Sequence, residues 1–371
     1  MRIQAALEKL EKRESLRREE AGGVMHELLA GGVPDEEVAA LLAALRDKGE
    51  TVEEVAGFAA VMRARAAEVL ADAGVDARSL AADGPLLDTC GTGGDGKGTF
   101  NVSTAAALVA AGAGARVAKH GNRSISSRCG SADVLEALGV AVEMPLARIP
   151  ECLDAAGMVF LYAPHLHLAM RHVMAARRKL KTKTVFNLLG PLTNPLNASV
   201  QLAGVYDMNR TEMMAQALGI AGAGRAFVVA SEDGMDEISL SRHTQLSEAR
   251  NGNVITRRVS PEEFGLDPLL PEYSQAHFAD AYISVQEAGE TQKAIAGGDA
   301  GTNARIIMRI LDGERGPHRD IVLANASAAL VVAGLAANFR EGVEVAKESI
   351  ASGAAKKTLV ALQEFTRRHR A

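Results

Sequence analysis

Apolar residues in the first eighty positions recur at the spacing of an α-helix, a period that gathers them on one helix face. Three such stripes occupy residues 24–29, 38–45 and 55–62. Thr51 and Glu54 form a capping-box pair directly before the third stripe. The pattern predicts a small all-helical domain over residues 1–82.

After residue 83 the pattern changes to short apolar runs that alternate with Ala-rich or Leu-rich helical segments. Runs typical of buried strands occur at residues 86–89, 115–118, 158–163, 200–205 and 225–229. Helical segments lie at residues 104–113, 132–138 and 211–218, and beyond residue 302. Such alternation is typical of βαβ units around a parallel sheet. The sequence therefore predicts an α/β fold, in which a large α/β domain over residues 83–371 has a mainly parallel central sheet and segment 168–182 joins the small helical domain.

Length and charge narrow the class of protein. The 371 residues suffice for one large and one small domain. The formal net charge of −5 argues against the broad cationic surface that nucleic acids require. Apolar stretches fall far short of the ~20 residues of a membrane helix, and charged residues follow Met1 in place of a signal core. We predict a cytoplasmic protein with neither a nucleic-acid nor a membrane partner.

Three cysteines, Cys90, Cys129 and Cys152, are the whole thiol content of the chain. Their odd number argues against a disulfide framework, and they lack the CxxC spacing of zinc sites. The sequence therefore predicts reduced, unliganded thiols.

A glycine-rich loop follows the first predicted strand. Residues 91–99 read GTGGDGKGT and contain five glycines, whose backbone amides can approach an anion closely because no Cβ atoms intervene. The next helix begins near Asn101 and directs its positive dipole end to the same place. The loop therefore suits pyrophosphate, although a tight turn explains a lone glycine-rich loop equally well. Its spacing fits neither a Walker loop nor a GxGxxG motif.

A second polar cluster follows the second predicted strand. Lys119 and Arg123 can neutralise phosphate oxygens. Four serines add hydroxyl donors: Ser124, Ser126, Ser127 and Ser131. A solvated polar loop is the plain alternative. Because the carboxyl ends of parallel strands meet at one edge of a sheet, we expect both clusters to converge on one ligand.

Several motifs stand along the chain in an order typical of one enzyme family. They are GTGGD at 91–95, TFNVST at 99–104, KHGNRSISS at 119–127, NLLGPLTNP at 187–195 and DGMDEIS at 233–239. In this order they resemble the anthranilate phosphoribosyltransferase family, over roughly residues 14–371. The resemblance implies a large domain of the nucleoside phosphorylase/phosphoribosyltransferase type and a homodimer formed through the helical domains. It also implies transfer of the phosphoribosyl group of phosphoribosyl pyrophosphate (PRPP) to the amine of anthranilate, a step of L-tryptophan biosynthesis.

The resemblance also implies ligand-binding residues. For PRPP they are Gly91, Gly94, Asp95, Thr99, Asn101, Val102, Ser103, Thr104, Lys119, His120, Gly121, Asn122, Arg123, Ser124, Ile125, Ser126, Ser127 and Ser131. For anthranilate they are Gly91, Asn122, His167 and Arg177. For two magnesium ions per subunit they are Ser103, Asp236 and Glu237, whose hard oxygen atoms suit that ion. The guanidinium of Arg177 can fork onto the anthranilate carboxylate. No side chain is assigned as a catalytic acid or base, and proton transfer by His120 stays open.

Four features depart from the family pattern. Leu168 replaces a common proline, residues 181–183 read KTK in place of Gly-Ile-Arg, Cys129 replaces a small hydroxyl residue, and the stretch 269–281 is longer. These departures bear on substrate fine-tuning and leave the reaction class in place.

Two other functions fit the same fold. One is a pyrimidine nucleoside phosphorylase. The Asp236-Glu237 pair and Arg177 argue against this function. The other is a non-enzymatic nucleic-acid-binding relative, against which the net charge of −5 argues.

Overall fold

The computed structural model describes residues 2–124, 128–267 and 293–370. In the first of these ranges, the part before the sheet is a bundle of helices. They are α1 (Ile3–Glu11), α2 (Arg18–Ala30), α3 (Asp35–Lys48), α4 (Val52–Asp72) and α5 (Ala77–Ala82). The three stripes predicted from the sequence lie on α2, α3 and α4, and their apolar residues are buried. The helical prediction for this part of the chain is confirmed.

Glu54 fixes the start of α4 from a fully buried position. Its carboxylate accepts hydrogen bonds from the backbone amides of Thr51, at 2.8 Å, and Leu16, at 2.8 Å, and it pairs with Lys48 Nζ at 2.9 Å. The Thr51 hydroxyl in turn accepts the Glu54 amide at 3.3 Å. The capping box is therefore confirmed, and its carboxylate also ties α4 to the end of α3.

Within the residues that the structure describes, the strands form one seven-stranded sheet in the order β3-β2-β1-β4-β5-β6-β7. Their bounds are β1 (Leu86–Gly91), β2 (Arg116–Gly121), β3 (Met158–Tyr162), β4 (Val200–Gly204), β5 (Arg225–Ser231), β6 (Thr244–Arg250) and β7 (Asn253–Val259). The five strands predicted from the sequence are β1 to β5, and they pair in parallel. The mainly parallel sheet is confirmed.

An antiparallel hairpin of β6 and β7 extends the sheet beyond β5, and the sequence analysis did not predict it. Asn251 and Gly252 connect the two strands with φ angles of 52° and 79°. An Asn-Gly pair is the preferred sequence for this two-residue turn. That dipeptide was the signal available in the sequence.

Helices cover both faces of the sheet. They are α6 (Val102–Gly112), α7 (Ser131–Ala137), α8 (Ile149–Ala156), α9 (Ala163–Leu166), α10 (Arg171–Leu180), α11 (Phe186–Leu189), α12 (Thr211–Ile220), α13 (Ala300–Leu311), α14 (Pro317–Val332), α15 (Phe339–Ala351) and α16 (Ala354–Arg368). Short 3-10 turns occupy Leu146–Arg148, Leu168–Met170, Gly190–Leu192, Met208–Arg210 and Pro261–Phe264. The three predicted crossover helices correspond to α6, α7 and α12. The Ala-rich α6 is almost entirely buried because α14 and α16 pack over it.

The helical bundle and the sheet share a continuous apolar core. Helix α10 packs on α2 and α3, and α12 packs between α4 and the strands β5 and β6. The division at residues 82 and 83, with segment 168–182 joining the small domain, stays a prediction. Among the helices described, none is both long enough and apolar enough to cross a membrane.

Candidate active site

The glycine-rich loop follows the carboxyl end of β1 and contains several tight turns. Gly93, Gly94, Gly96 and Gly98 have φ angles of 61°, 73°, 73° and 68°, a left-handed region in which a Cβ atom is strained. At Gly91 a Cβ atom would lie 2.6 Å from Asp236 Oδ2. The loop therefore requires glycine for its turns and for its close approach to Asp236.

Asp236 and Glu237 lie on the turn that follows β5, beside this loop. The Gly93 amide donates to Asp236 Oδ2 at 2.8 Å. Burial, and then the nearby charge of Asp95, raises the pKa of Asp236 to about 7. Burial, and then Asp236, holds the pKa of Glu237 well above its usual range. Asp95 Oδ2 is itself buried and has no hydrogen-bond partner within the described part of the chain. In the free protein the ionised forms of Asp236 and Glu237 are therefore disfavoured, and a cation bound beside them would favour ionisation.

Lys119 is the buried cation of the site. Its side chain is 1% exposed, and its ammonium donates to the Thr89 carbonyl oxygen and, at 3.3 Å, to Ser103 Oγ. Burial lowers the pKa of Lys119, and the charges of Asp88 and Glu237 oppose that shift. The ammonium thus lies between β1 and the start of α6, close enough to Glu237 to be influenced by its charge.

Asp88 and Asn194 fix the ends of β1 and β2, and the sequence analysis gave neither a role. The two carboxylate oxygens of Asp88 accept the His120 amide at 3.2 Å and Asn194 Nδ2 at 2.8 Å. Asn194 Nδ2 also donates to the Ala118 carbonyl at 2.8 Å. Burial raises the pKa of Asp88, with Lys119 opposing the shift. The available signal was an aspartate inside an apolar strand.

Of the residues at the start of α6, some face the candidate site and others are buried in the interior. Val102 is buried in the core, and the buried Thr104 Oγ1 has no hydrogen-bond partner. Asn101 donates to the Cys129 carbonyl at 3.2 Å and accepts from Asn303 at 2.9 Å. The Asn101 amide therefore joins three segments of chain, a contact that the sequence analysis did not foresee. Thr99 forms an isolated β-bridge with Ala296.

The loop after β2 brings Gly121, Asn122 and Ser131 together. Ser131 Oγ donates to the Asn122 carbonyl at 3.3 Å and packs directly against Gly121, where a Cβ atom would collide with it. The Ser124 amide donates to an Asp133 carboxylate oxygen at 3.0 Å. Ile125, Ser126 and Ser127, three of the residues predicted to bind PRPP, lie outside the described residues, as does the stretch 269–281.

Arg123 reaches away from the glycine-rich loop. Its guanidinium donates to Glu136 Oε1 at 2.7 Å and to the Tyr162 hydroxyl at 3.0 Å. Glu136 lies on α7, so the charge of Arg123 is balanced on that helix. Of the two cations predicted in this cluster, Lys119 lies at the start of α6 against Ser103, whereas Arg123 lies against α7.

His120 and His167 face each other, with their ring centroids 5.2 Å apart. Burial lowers the pKa of His120 to about 3, with a smaller contribution from His167, and burial lowers the pKa of His167 to about 4. Both Nε2 atoms are buried and have no hydrogen-bond partner among the residues that the structure describes. The pair is therefore neutral at pH 7 and presents two unsatisfied ring nitrogens.

Arg177 projects from α10 without a carboxylate partner among the residues that the structure describes. Its guanidinium lies 5.1 Å from the centroid of Phe186, and Nη1 lies 3.7 Å from Met174 Sδ. Burial lowers its pKa. A half-buried cation held by an aromatic ring and a thioether is available to an anionic ligand. Its neighbour Arg178 is exposed.

The donor set fits magnesium when substrate phosphates complete it. Within residues 2–124, 128–267 and 293–370, no group of three or more His, Cys, Asp or Glu side chains forms a metal cage. Magnesium is usually bound through one or two carboxylates together with substrate phosphates and water. Asp236 and Glu237 provide such carboxylates, and a divalent cation would relieve the repulsion that raises their pKa values.

Known proteins resemble this chain over its whole length. The chain matches the glycosyl transferase family, helical bundle domain, over residues 4–66, and the glycosyl transferase family, a/b domain, over residues 83–279 and 272–356. The anthranilate phosphoribosyltransferase of Pelotomaculum thermopropionicum is 48% identical over 364 residues, which cover 98% of this chain and 96% of that one.

Two solved structures share the fold. The anthranilate phosphoribosyltransferase of Thermus thermophilus has a TM-score of 0.81 at 40% identity, covering 98% of this chain and 99% of that chain. The Saccharomyces cerevisiae enzyme in complex with PRPP and magnesium has a TM-score of 0.80 at 25% identity, covering 99% and 98%. The helical and α/β units stand in the same order in the matched families, and the identity extends through both. The chain therefore belongs to the anthranilate phosphoribosyltransferase family.

Proposed function

We propose that this chain transfers the phosphoribosyl group of PRPP to the amine of anthranilate, giving N-(5-phosphoribosyl)anthranilate and pyrophosphate for L-tryptophan synthesis. The observation that carries the proposal is the contact of a glycine-rich loop with the buried carboxyl of Asp236, which Glu237 follows, near the buried Lys119. Arg177 adds a cation without a carboxylate partner among the described residues. The complex of the yeast relative with PRPP and magnesium supports the same substrate.

In this proposal the glycine-rich loop and the start of α6 bind the pyrophosphate of PRPP. The backbone amides of the loop donate to phosphate oxygens, and Lys119 neutralises part of their charge. Asp236 and Glu237, with Ser103, would hold two magnesium ions. When bound, magnesium supplies further neutralisation of the pyrophosphate that leaves.

Arg177 and Asn122 would orient anthranilate, with Gly91 and His167 beside it. The guanidinium binds the carboxylate, which aims the amine at the ribose carbon. That carbon–oxygen bond to pyrophosphate breaks, the carbon–nitrogen bond forms, and the nitrogen releases a proton. With its pKa lowered to about 3, His120 is a weak base at neutral pH, so positioning and electrostatics carry most of the rate in this proposal.

A fluorescence assay with anthranilate, PRPP and magnesium tests the reaction. We expect anthranilate consumption that requires both PRPP and magnesium. A matched reaction with a pyrimidine nucleoside and inorganic phosphate tests the phosphorylase alternative. Phosphorolysis without anthranilate turnover would refute the proposal.

We further propose that the chain acts in the cytoplasm as a homodimer formed through the helical domain, without a nucleic-acid partner. The family resemblance supports the dimer. Light scattering coupled to size-exclusion chromatography tests it directly, and a monomer at working concentration would contradict it.

A further inference from the structure

The side chain of Lys183 lies beside the glycine-rich loop, next to Gly94. Its ammonium nitrogen is 3.4 Å from the centroid of the Tyr206 ring, and its Cε is 3.6 Å from the position of a Cβ atom on Gly94. The Tyr206 amide in turn lies 3.3 Å from Thr92 Oγ1 in the same loop. One side chain therefore contacts the loop that the proposed function assigns to pyrophosphate.

The ammonium of Lys183 is attracted to nearby carboxylates but forms no ion pair with them. Within the described ranges its ammonium has no carboxylate within 4.0 Å, in contrast to Lys179 in the same segment, which pairs with Glu36 at 3.0 Å. Burial lowers the pKa of Lys183, and the charges of Asp95 and Asp236 partly oppose that effect. An ammonium held only by an aromatic ring keeps its three hydrogen-bond donors available.

The backbone explains why Lys183 reaches this position. Lys181 ends α10 with a left-handed φ of 47°, so the chain turns away from the helix axis toward the sheet. Thr184 and Val185 are then buried, which anchors the segment on the far side of Lys183. Helix α10 packs on α2 and α3 of the helical bundle, and Lys183 follows the end of α10 by three residues. The segment from α10 to Lys183 therefore connects the helical bundle to the glycine-rich loop.

We propose that Lys183 binds the pyrophosphate group of PRPP, an inference that rests on the proposed function. Bound magnesium would occupy the carboxylate of Asp236, one of the two that attract the ammonium, and phosphate oxygens are stronger partners for the ammonium than a tyrosine ring. Lys183 adjoins Gly94 of the phosphate loop, whereas Arg177 lies over Phe186. The two cations therefore serve different substrates.

The test uses Lys183→Gln and Lys183→Arg, with Lys181→Gln as the matched control. Lys181 is also exposed, and its replacement removes the same charge two positions away. Calorimetric titration of inorganic pyrophosphate with magnesium measures binding without turnover, and steady-state kinetics measure KM for each substrate. A thermal melt of each variant accompanies these measurements.

We expect Lys183→Gln to weaken pyrophosphate binding and raise KM for PRPP by about fivefold to tenfold, the range for one partly exposed charged contact. KM for anthranilate, Tm and the Lys181→Gln control should stay near the wild-type values, and Lys183→Arg should retain most of the binding. Unchanged pyrophosphate affinity in Lys183→Gln, an equal loss in Lys181→Gln, or a rise in KM for anthranilate alone would each overturn the inference. Failure of the wild type to bind pyrophosphate would instead refute the proposed function.

Discussion

Replacement of Arg177 by alanine separates the two substrates of the proposed reaction. The guanidinium contacts Phe186 and Met174 and has no carboxylate partner among the described residues. Its loss therefore breaks no ion pair within that part of the protein. If Arg177 binds the carboxylate of anthranilate, the variant loses a contact that exists only in the complex.

The size of the effect follows from the chemistry of that contact. A hydrogen bond to a charged group is worth about 1.5–3 kcal/mol, and one factor of ten corresponds to about 1.4 kcal/mol. Arg177→Ala should therefore weaken anthranilate use by about 10–150-fold. Arg177→Lys should recover only part of the loss because an ammonium lacks the two-pronged geometry of the guanidinium.

Steady-state kinetics with each substrate varied in turn measure the effect. The matched control is Arg178→Ala, which removes the neighbouring exposed charge and should leave KM for anthranilate within about twofold. We expect KM for PRPP to stay near its wild-type value in both variants. The melting temperature of Arg177→Ala should equal or exceed that of the wild type, since burial disfavours this charge. Equal rises in both Michaelis constants, or a clearly lowered melting temperature, would show that Arg177 braces α10 instead.

Three further changes probe the metal site, the histidine pair and the helical domain. Asp236→Asn with Glu237→Gln should remove most activity at low magnesium and raise Tm in a chelator, since the pKa of each carboxylate is raised by burial and repulsion; unchanged turnover across a magnesium titration would reject the metal assignment. The folded-state pKa of His120, about 3, lies below the unfolded value of about 6.5, so its contribution to stability is complete above pH 6.5 and is lost as the pH falls toward 3. Between pH 7 and pH 5 this effect should lower the free energy of unfolding of the wild type by an amount on the order of 2 kcal/mol, and His120→Asn should not show that decrease. Urea unfolding measures both proteins, and an identical pH dependence of the wild type and the variant would contradict this. Glu54→Ala should lower the free energy of unfolding by about 3–5 kcal/mol because it leaves a buried lysine unpaired, whereas Glu53→Ala at an exposed pair should change it by less than about 1 kcal/mol.

The sequence predicted the strands that are buried on both faces and missed those that are not. Strands β1 to β5 are each buried over at least four consecutive positions, and β4 is buried at every position. β7 reads NVITRRV and is exposed over most of its length, with Ile255 67% exposed. Its apolar residues form neither a continuous run nor a regular alternation with polar residues. The Asn251-Gly252 dipeptide was therefore the only sequence signal for the hairpin.

Motif order named the candidate residues of the site but gave no information on the direction of their side chains. Lys119 lies within β2, where strand geometry points it into the interior, and its ammonium donates to Ser103 Oγ at 3.3 Å. Arg123 lies four residues later in a loop, where no period fixes direction, and Glu136 on α7 draws it away. The roles of Asp88 and Lys183 depend on contacts with residues far along the chain, which spacing alone does not encode.

The charges at the site are arranged for ligands rather than for one another. The negative charge of Asp95 adds to burial in raising the pKa values of Asp236 and Glu237, while the ammonium of Lys183 lies nearby over an aromatic ring instead of pairing with them. A carboxylate–ammonium pair at this position would stabilise the free protein, but PRPP and magnesium would then have to break it before binding. In the proposed complex the carboxylates would instead meet a metal ion and the ammonium would meet phosphate oxygens, so each group would gain its partner only when the ligands bind. The binding free energy would then be directed to the group that leaves in the proposed reaction, where charge changes most.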